Sequence, residues 1–333
     1  MKDERIRLAH GSGGLLTSQL IKQTILTYFK NKTLKQLTDS AALRMASKNI
    51  AFTTDSYVID PIFFPGGDIG SLAIYGTVND LAMQGAVPQY ISLSLIIEEG
   101  LSLRNLERVL KSAAQAAQRA RVEVVCGDTK VVEKGKADKL FITTSGVGII
   151  KMHLGKDRVR EGDVVIVSGT IGDHGIAVMN ERLGLGLKSD IKSDTAPLNL
   201  LTNTLLSYKS SIHFMRDPTR GGIASVLNEV CDGLRFGIIL DETKLPIKRE
   251  VIGATEILGI DPLYIANEGK LVAIVDRKIA ARVVRKMKTH ALGRRAAIIG
   301  DVVREPRGVW LRTKIGGVHP LLQLEAEGLP RIC

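Results

Sequence analysis

Between Asn49 and Ile150 the chain switches repeatedly between two hydrophobic periods, and this alternation constrains its fold more than any other feature. "NIAFTTDSYVI" is rich in β-branched and aromatic residues at alternating positions and reads as a strand. "GSLAIYGTVNDLAMQGA" reads as an apolar helix closed by Gly85, and "PQYISLSLIIEE" as the next strand. Leu103, Leu106, Val109, Leu110, Ala113, Ala117 and Ala120 then recur at three- and four-residue steps, the stripe of an amphipathic helix. "RVEVVCGDTKVV" and "KLFITTSGVGII" complete a strand and helix alternation that requires a mixed α/β or α+β layer.

A chain of 333 residues exceeds one ordinary core and suits two domains of ~150 residues. The charged, turn-forming "KMHLGKDRVREGDVV" precedes a new apolar strand, "VVIVSGT", and places the boundary near residue 158. Beyond it, Ile223, Val226, Leu227, Val230 and Leu234 form a second helical stripe, and "KLVAIVD" and "AAIIGDVV" read as strands. The expected division is a glycine-rich segment and helix at 1–36, a nucleotide-binding domain at 37–150, an α+β domain at 158–320 and a tail at 321–333 able to move away from the body.

Composition excludes several classes. No apolar run approaches the ~20 residues of a membrane span, and the start, "MKDERIRLAHGSGG", lacks the apolar stretch of a secretory signal, so a cytoplasmic location is expected. The formal charge of +11 is spread along the chain without aromatic-studded or Arg-rich segments, a solvated surface rather than a nucleic-acid site. Six histidines form no H-x-x-x-H pair, and three irregularly spaced cysteines form no disulfide framework.

Asp39 in "TDSAAL", Asp55 in "TTDS", Asp80 in "VNDLAM" and Asp128 in "CGDT" sit beside small polar residues at the ends of apolar segments. Singly, such residues are more often turn residues or helix caps; brought together, they suit a hard cation shared with phosphate. Glycine clusters at "HGSGG", "SGTIGDHG" and "DPTRGG" could bring backbone N–H groups to phosphate oxygens, although turns explain most such clusters. There is no G-x-x-x-x-G-K-[ST] and no G-x-G-x-x-G, so a nucleotide site here is neither a P-loop nor a Rossmann site. Lys130 and Lys134 could supply a cation and Glu268 a base.

Cys126 in a strand and Cys231 on a helix read as inert core thiols, whereas Cys333 stands last in the sequence. A thiol there suits a carrier that receives a group at one place and delivers it at another. It does not suit a lipid anchor, because a C-a-a-X box needs its Cys four residues from the end.

Together, "HGSGG", "TTDSYVIDPIFFPGGDIGSLAIYGTVNDLAMQGA", "GDTKVVEKGKAD", "SGTIGDHGIAVM", "MRDPTRGG", "DPLYIANEGKLVA" and "PRIC" resemble, in order and over nearly the whole chain, the hydrogenase maturation factor HypE family. The sister families aminoimidazole ribonucleotide synthetase, selenophosphate synthetase and thiamine monophosphate kinase have a similar ATP-binding body without the "PRIC" ending. The resemblance implies an aminoimidazole ribonucleotide synthetase-like α+β fold: an N-terminal mixed α/β domain forming a β-barrel across a homodimer, a C-terminal α+β domain and a flexible tail. It implies an ATP-dependent carbamoyl dehydratase in which the carbamoyltransferase HypF loads Cys333. The carboxamide is then dehydrated to a thiocyanate, and cyanide passes to iron on a HypC–HypD complex. By the same resemblance, Asp39, Asp55, Asp80 and Asp128 hold Mg²⁺ and the triphosphate. His10, Gly11, Gly13, Gly14, Lys130, Asp217, Gly221 and Gly222 contact the nucleotide, and Glu268 and Lys134 act with Cys333 in catalysis. Tyr75 stands where a smaller residue is expected. A sister small-molecule kinase and a non-catalytic tail-bearing scaffold are the competing readings.

Overall fold

The computed structural model describes residues 5–12, 15–37, 40–186 and 190–323. A helical segment opens the chain: α1 (Leu15–Gln19), a π-helical turn (Leu20–Ile25) and α2 (Leu26–Tyr28). β1 (Ile50–Tyr57) and the two-residue strands β2 (Phe63–Phe64) and β3 (Gly67–Asp68) lead into α3 (Ile69–Met83). β4 (Ala86–Glu98), α4 (Leu103–Ala120), β5 (Glu123–Val132) and β6 (Leu140–Ile150) follow. The first sheet runs β1-β6-β4-β5, antiparallel except for the parallel β4–β5 pair, which α4 connects.

The alternation read in the sequence forms these elements. The buried residues of α4 include Leu106, Val109, Leu110, Ala113, Ala117 and Ala120, capped by Ser102, whose side chain accepts from Asn105 N–H. Tyr75 is accommodated because its hydroxyl meets Arg119 in the last turn of α4, so a large residue fits where a small one was expected.

The second half forms a seven-stranded sheet in the order β13-β12-β9-β11-β7-β10-β8. Its strands are β7 (Val164–Val167), β8 (Ile212–Arg216), β9 (Gly237–Asp241), β10 (Val272–Val275), β11 (Ala297–Val303), β12 (Gly308–Arg312) and β13 (Val318–Pro320). Every residue of β7 and β10 is buried, as expected for strands covered on both faces. The helices between them are α5 (Asp173–Leu183), α6 (Asn199–Asn203), α7 (Gly222–Cys231), α8 (Arg249–Leu258) and α9 (Arg277–Lys288). α7 joins the core on one face with Ile238, Leu240 and Val309, and α9 joins the core on the other with Ile166 and Ala273.

α3 links the two halves. Fourteen of its fifteen residues are buried, the pattern of a helix enclosed on all sides. It packs on β1, β4 and β6 and also meets α6 and β8, and its last residues, Ala82 and Met83, belong to the core of the second sheet. Asn79, fully buried, accepts from Leu198 N–H at 2.8 Å and donates to the carbonyls of Ala196 at 3.1 Å and Glu268 at 3.3 Å. The one residue of α3 that is not buried is Asp80.

Asn79→Ala would remove one hydrogen bond each from the Leu198 N–H and the Ala196 and Glu268 carbonyls, and we expect it to lower unfolding stability by about 2–4 kcal/mol. Urea denaturation checks this, with Thr204→Ala on the periphery expected to cost under ~1 kcal/mol.

Candidate functional site

Four expected site residues meet at the junction that α3 creates. Asp55, in the middle of β1, pairs with Thr144 of β6 and turns its carboxylate toward α3, where Thr77 Oγ1 donates to it at 3.2 Å. One turn of helix later Asp80 receives a hydrogen bond from Thr53 Oγ1 at 3.0 Å, and Asp55 and Asp80 hydrogen-bond to one another. Asp217 and Glu268 close the cluster from the second half, both nearly fully buried.

Glycine makes this closure possible. Gly222, at φ +60, begins α7, and a Cβ there would lie 2.5 Å from the Leu263 carbonyl and 2.7 Å from that of Ile265. The loop carrying Asp217 is therefore pressed against the segment carrying Glu268, and Asn267 N–H and its side-chain amide both donate to the Pro218 carbonyl, at 3.0 and 3.2 Å.

The electrostatics follow from four acids sharing a partly dry space. Burial pushes Asp80 up to about 6, and the Asp55 charge adds to the effect. Burial also raises Asp217 to about 7, with Asp80 next in importance. Burial drives Glu268 well above the usual range, followed by repulsion from Asp217, Asp194, Asp80 and Asp55. Burial raises Asp55 as well, against the hydrogen bonds from Thr77 and Asp80. Arg216 favours the charged forms of Asp80 and Asp217, and Arg220 that of Asp55.

Sequence reasoning missed the residues that support this cluster. Asp194 is buried; burial raises its pKa, but Lys270, His174 and the Glu268 N–H together bring it below the usual range. It accepts from Glu268 N–H at 3.0 Å, Gly269 N–H at 3.2 Å and Lys270 Nζ at 3.0 Å, and so fixes the backbone that carries Glu268. Nothing local marks Asp194, whose hydrogen-bond partners lie more than seventy residues away. Asn79 and Thr77 could have been noticed, since both precede Asp80 on one helix.

The remaining expected residues form a second group. Asp128 pairs through Ser94 and Thr143 with Ser56, the neighbour of Asp55, so within one chain it lies three strands away and on the opposite face of the sheet. It is exposed, 3.8 Å from Lys130 Nζ. Gly11, Asp128 and Lys130 line a common cavity of about 210 Å³ with Phe29 and Cys126. Gly11 rests on β5, where a Cβ would come within 2.4 Å of Val131 N. Half-buried His10 accepts from Arg7 N–H through Nδ1 at 3.0 Å, and exposed Lys134 lies in the β5–β6 turn near Glu98. Neither is brought to Glu268. Gly13, Gly14, Asp39 and Cys333 lie outside the described residues. Cys126 is half-buried and Cys231 buried, and burial raises both thiols, Cys231 to about 11.

Among the described residues, no three His, Cys, Asp or Glu side chains form a preassembled metal cage. The Asp55–Asp80 pair nevertheless suits Mg²⁺, which is bound through one or two carboxylates plus substrate phosphates and retained waters.

Two sheets joined by a buried helix, with an acidic cleft at the junction, define a body of the AIR synthase related class. Its N-terminal and C-terminal domain families match residues 37–150 and 160–310. The chain is 45% identical over 337 residues to carbamoyl dehydratase HypE of Cupriavidus necator, covering all of this chain and 96% of that protein. A crystal structure of hydrogenase maturation protein HypE in complex with ATP superposes with a TM-score of 0.94 at 43% identity, covering 98% of this chain and 99% of that one. HypE in a HypE–HypF complex superposes at 0.81 with 43% identity, covering 93% and 100%. The chain belongs to the carbamoyl dehydratase HypE family.

Because the folded state raises Asp80, it binds a proton that the unfolded chain, with an ordinary carboxyl near ~4, does not hold at pH 5–6. This contribution favours folding at low pH and is lost as pH rises through about 6. In ligand-free protein, Asp80→Asn should therefore raise stability at pH 8 by about 1–2 kcal/mol and change it little at pH 4. Thermal melting of both proteins across pH 4–8 measures this; an Asn variant less stable at pH 8 contradicts it.

Proposed function

We propose that this chain is an ATP-dependent carbamoyl dehydratase acting on a carboxamide carried by the Cys333 sulfur. The observation that carries the reading is the convergence of Asp55, Asp80, Asp217 and Glu268 from both halves, in a chain 45% identical to a carbamoyl dehydratase. HypF loads the carbamoyl group onto Cys333, and the resulting cyano group goes to the iron of a [NiFe] hydrogenase through a HypC–HypD complex.

The chemistry assigns each residue a task. An amide oxygen is a poor leaving group, so transfer of the γ-phosphoryl group to it converts its departure into loss of phosphate. Two N–H bonds must also break as the C–N bond becomes triple, so that S–C(=O)NH₂ and ATP give S–C≡N, ADP and phosphate. Glu268 is the base, and the surroundings that raise its pKa make its carboxylate a stronger proton acceptor than an exposed one. Asp55 and Asp80 would hold Mg²⁺, which would neutralise triphosphate charge and relieve the mutual repulsion of the acids. Asp217, Gly221 and Gly222 lie against the phosphates, where the N-terminus of α7 offers backbone N–H groups.

A homodimer completes this reading. The face of the first sheet opposite α3 carries Phe52, 69% exposed, together with exposed Ile50 and Ile96. An open apolar sheet face of this kind needs a cover. A second copy packed there in a shared β-barrel would bring its Asp128, Lys130 and Lys134 to bear on a neighbouring site, although within one chain none of them meets Glu268. Asp39, His10, Gly11, Gly13 and Gly14 keep their assignment to the nucleotide. Division of the chain at 37–150 and 158–320, with Cys333 carried on the final segment, is part of the same proposal.

Cys333→Ala should leave ATP binding intact and abolish every covalent product, and intact mass after incubation with HypF, carbamoyl phosphate and ATP measures both stages. A small-molecule kinase would be indifferent to this substitution, and a scaffold would hydrolyse no ATP. Glu268→Gln should accumulate carboxamide and slow its dehydration by about 10²–10⁴-fold, the range for loss of a general base. Full conversion to thiocyanate in that variant would place the base elsewhere.

A further inference from the structure

The last described residues are held by three hydrogen bonds and one buried side chain. Leu321 is 2% exposed within the core of the second sheet, its N–H donates to the Val309 carbonyl at 2.8 Å, and its own carbonyl accepts from Asn228 Nδ2 at 2.9 Å. One residue later the Leu322 carbonyl accepts from the Tyr264 hydroxyl at 2.6 Å, while the Leu322 side chain is 67% exposed.

The two clamping side chains come from the segments that build the acidic cleft. Asn228 lies on α7, six residues or ~9 Å of helix beyond Gly222. Tyr264 lies four residues before Glu268, so their Cα atoms are at most ~15 Å apart. The eleven residues from Gln323 to Cys333 span at most ~40 Å, well beyond that separation.

We infer that Tyr264 and Asn228 are positioning residues for dehydration: they pin the start of the cysteine-bearing segment beside the cleft, so that carboxamide delivery is an intramolecular event with a fixed origin. The inference rests on the dehydratase reading. Its physical content is effective concentration. Releasing the two carbonyls leaves Leu321 held only by its buried side chain and its N–H bond to Val309, which loosens the origin of the segment and lowers the local concentration of the carboxamide at Glu268 without altering the nucleotide site. Tyr264 suits the role because burial, followed by the Asp261 charge, raises its hydroxyl above the ordinary tyrosine value and keeps it a donor.

The test uses full-length protein loaded by the carbamoyltransferase with carbamoyl phosphate, then mixed with Mg·ATP and followed by intact mass in a single turnover. For the double variant Tyr264→Phe, Asn228→Ala we expect dehydration slower by up to about twofold, with unchanged half-saturation by ATP and unchanged loading. Each single variant should fall between it and the unsubstituted chain. A double variant that converts at the unsubstituted rate overturns the pin. Slowing accompanied by a shifted ATP half-saturation also overturns it, because that pattern marks damage to the cleft. If the unsubstituted loaded chain makes no thiocyanate, the dehydratase reading itself falls and the pin with it, an outcome distinct from the other two.

Discussion

The burial of α3 is the constraint on which the rest of the structure depends. A helix of fifteen residues with fourteen buried must be enclosed by more than one layer, and here the first sheet and α4 lie on one side and elements of the second half on the other. Burial on all sides leaves no solvent-facing stripe for polar residues, so each polar group on the helix has to be satisfied within the protein. Asn79 meets that demand by bonding to both Leu198 and the Glu268 carbonyl, and Asp80 emerges into the one gap that remains. The helix that joins the halves is thus also the element that positions the acidic cleft.

The cleft itself opposes folding. Asp80, Asp217 and Glu268 all have their charged forms disfavoured by burial and by one another, and Arg216 and Arg220 offset this only in part. The surrounding network maintains this arrangement. Asp194, with Lys270 and the N–H groups of Glu268 and Gly269, holds one wall, while Gly222 permits the close approach of the other. A site assembled from mutually repelling carboxylates is poised to accept positive charge, which accords with the proposal that a metal–nucleotide complex binds there.

Much of this was legible along the chain. The strands at 50–57, 86–98, 123–132 and 140–150 and the amphipathic helix at 103–120 carried clear periodicities, because each buries one face. The apolar run that became α3 was legible as a helix, but its enclosure from both sides was not, since periodicity disappears when every face is buried. β8, β9 and β12 are five residues each and were not read as strands. Asp55, Asp80, Asp217 and Glu268 were found through their motifs, and the structure draws them together. Asp194 and Tyr264 were invisible because their partners are distant in sequence, and the separation of Asp128 from Asp55 depends on strand order, which spacing does not encode.

The central claim is that the raised acids at the junction form the receptor for a metal–nucleotide complex. It is tested most directly by titration calorimetry of Mg·ATP at pH 6.5 in two buffers of different ionisation enthalpy. Binding of positive charge at Asp55 and Asp80 should displace protons held near pH 6–7 by Asp80, at about 6, and Asp217, at about 7, giving net proton release that is reduced in Asp80→Asn. Binding with no proton release, or with the same release in the variant, would place the nucleotide away from this cleft and contradict the account.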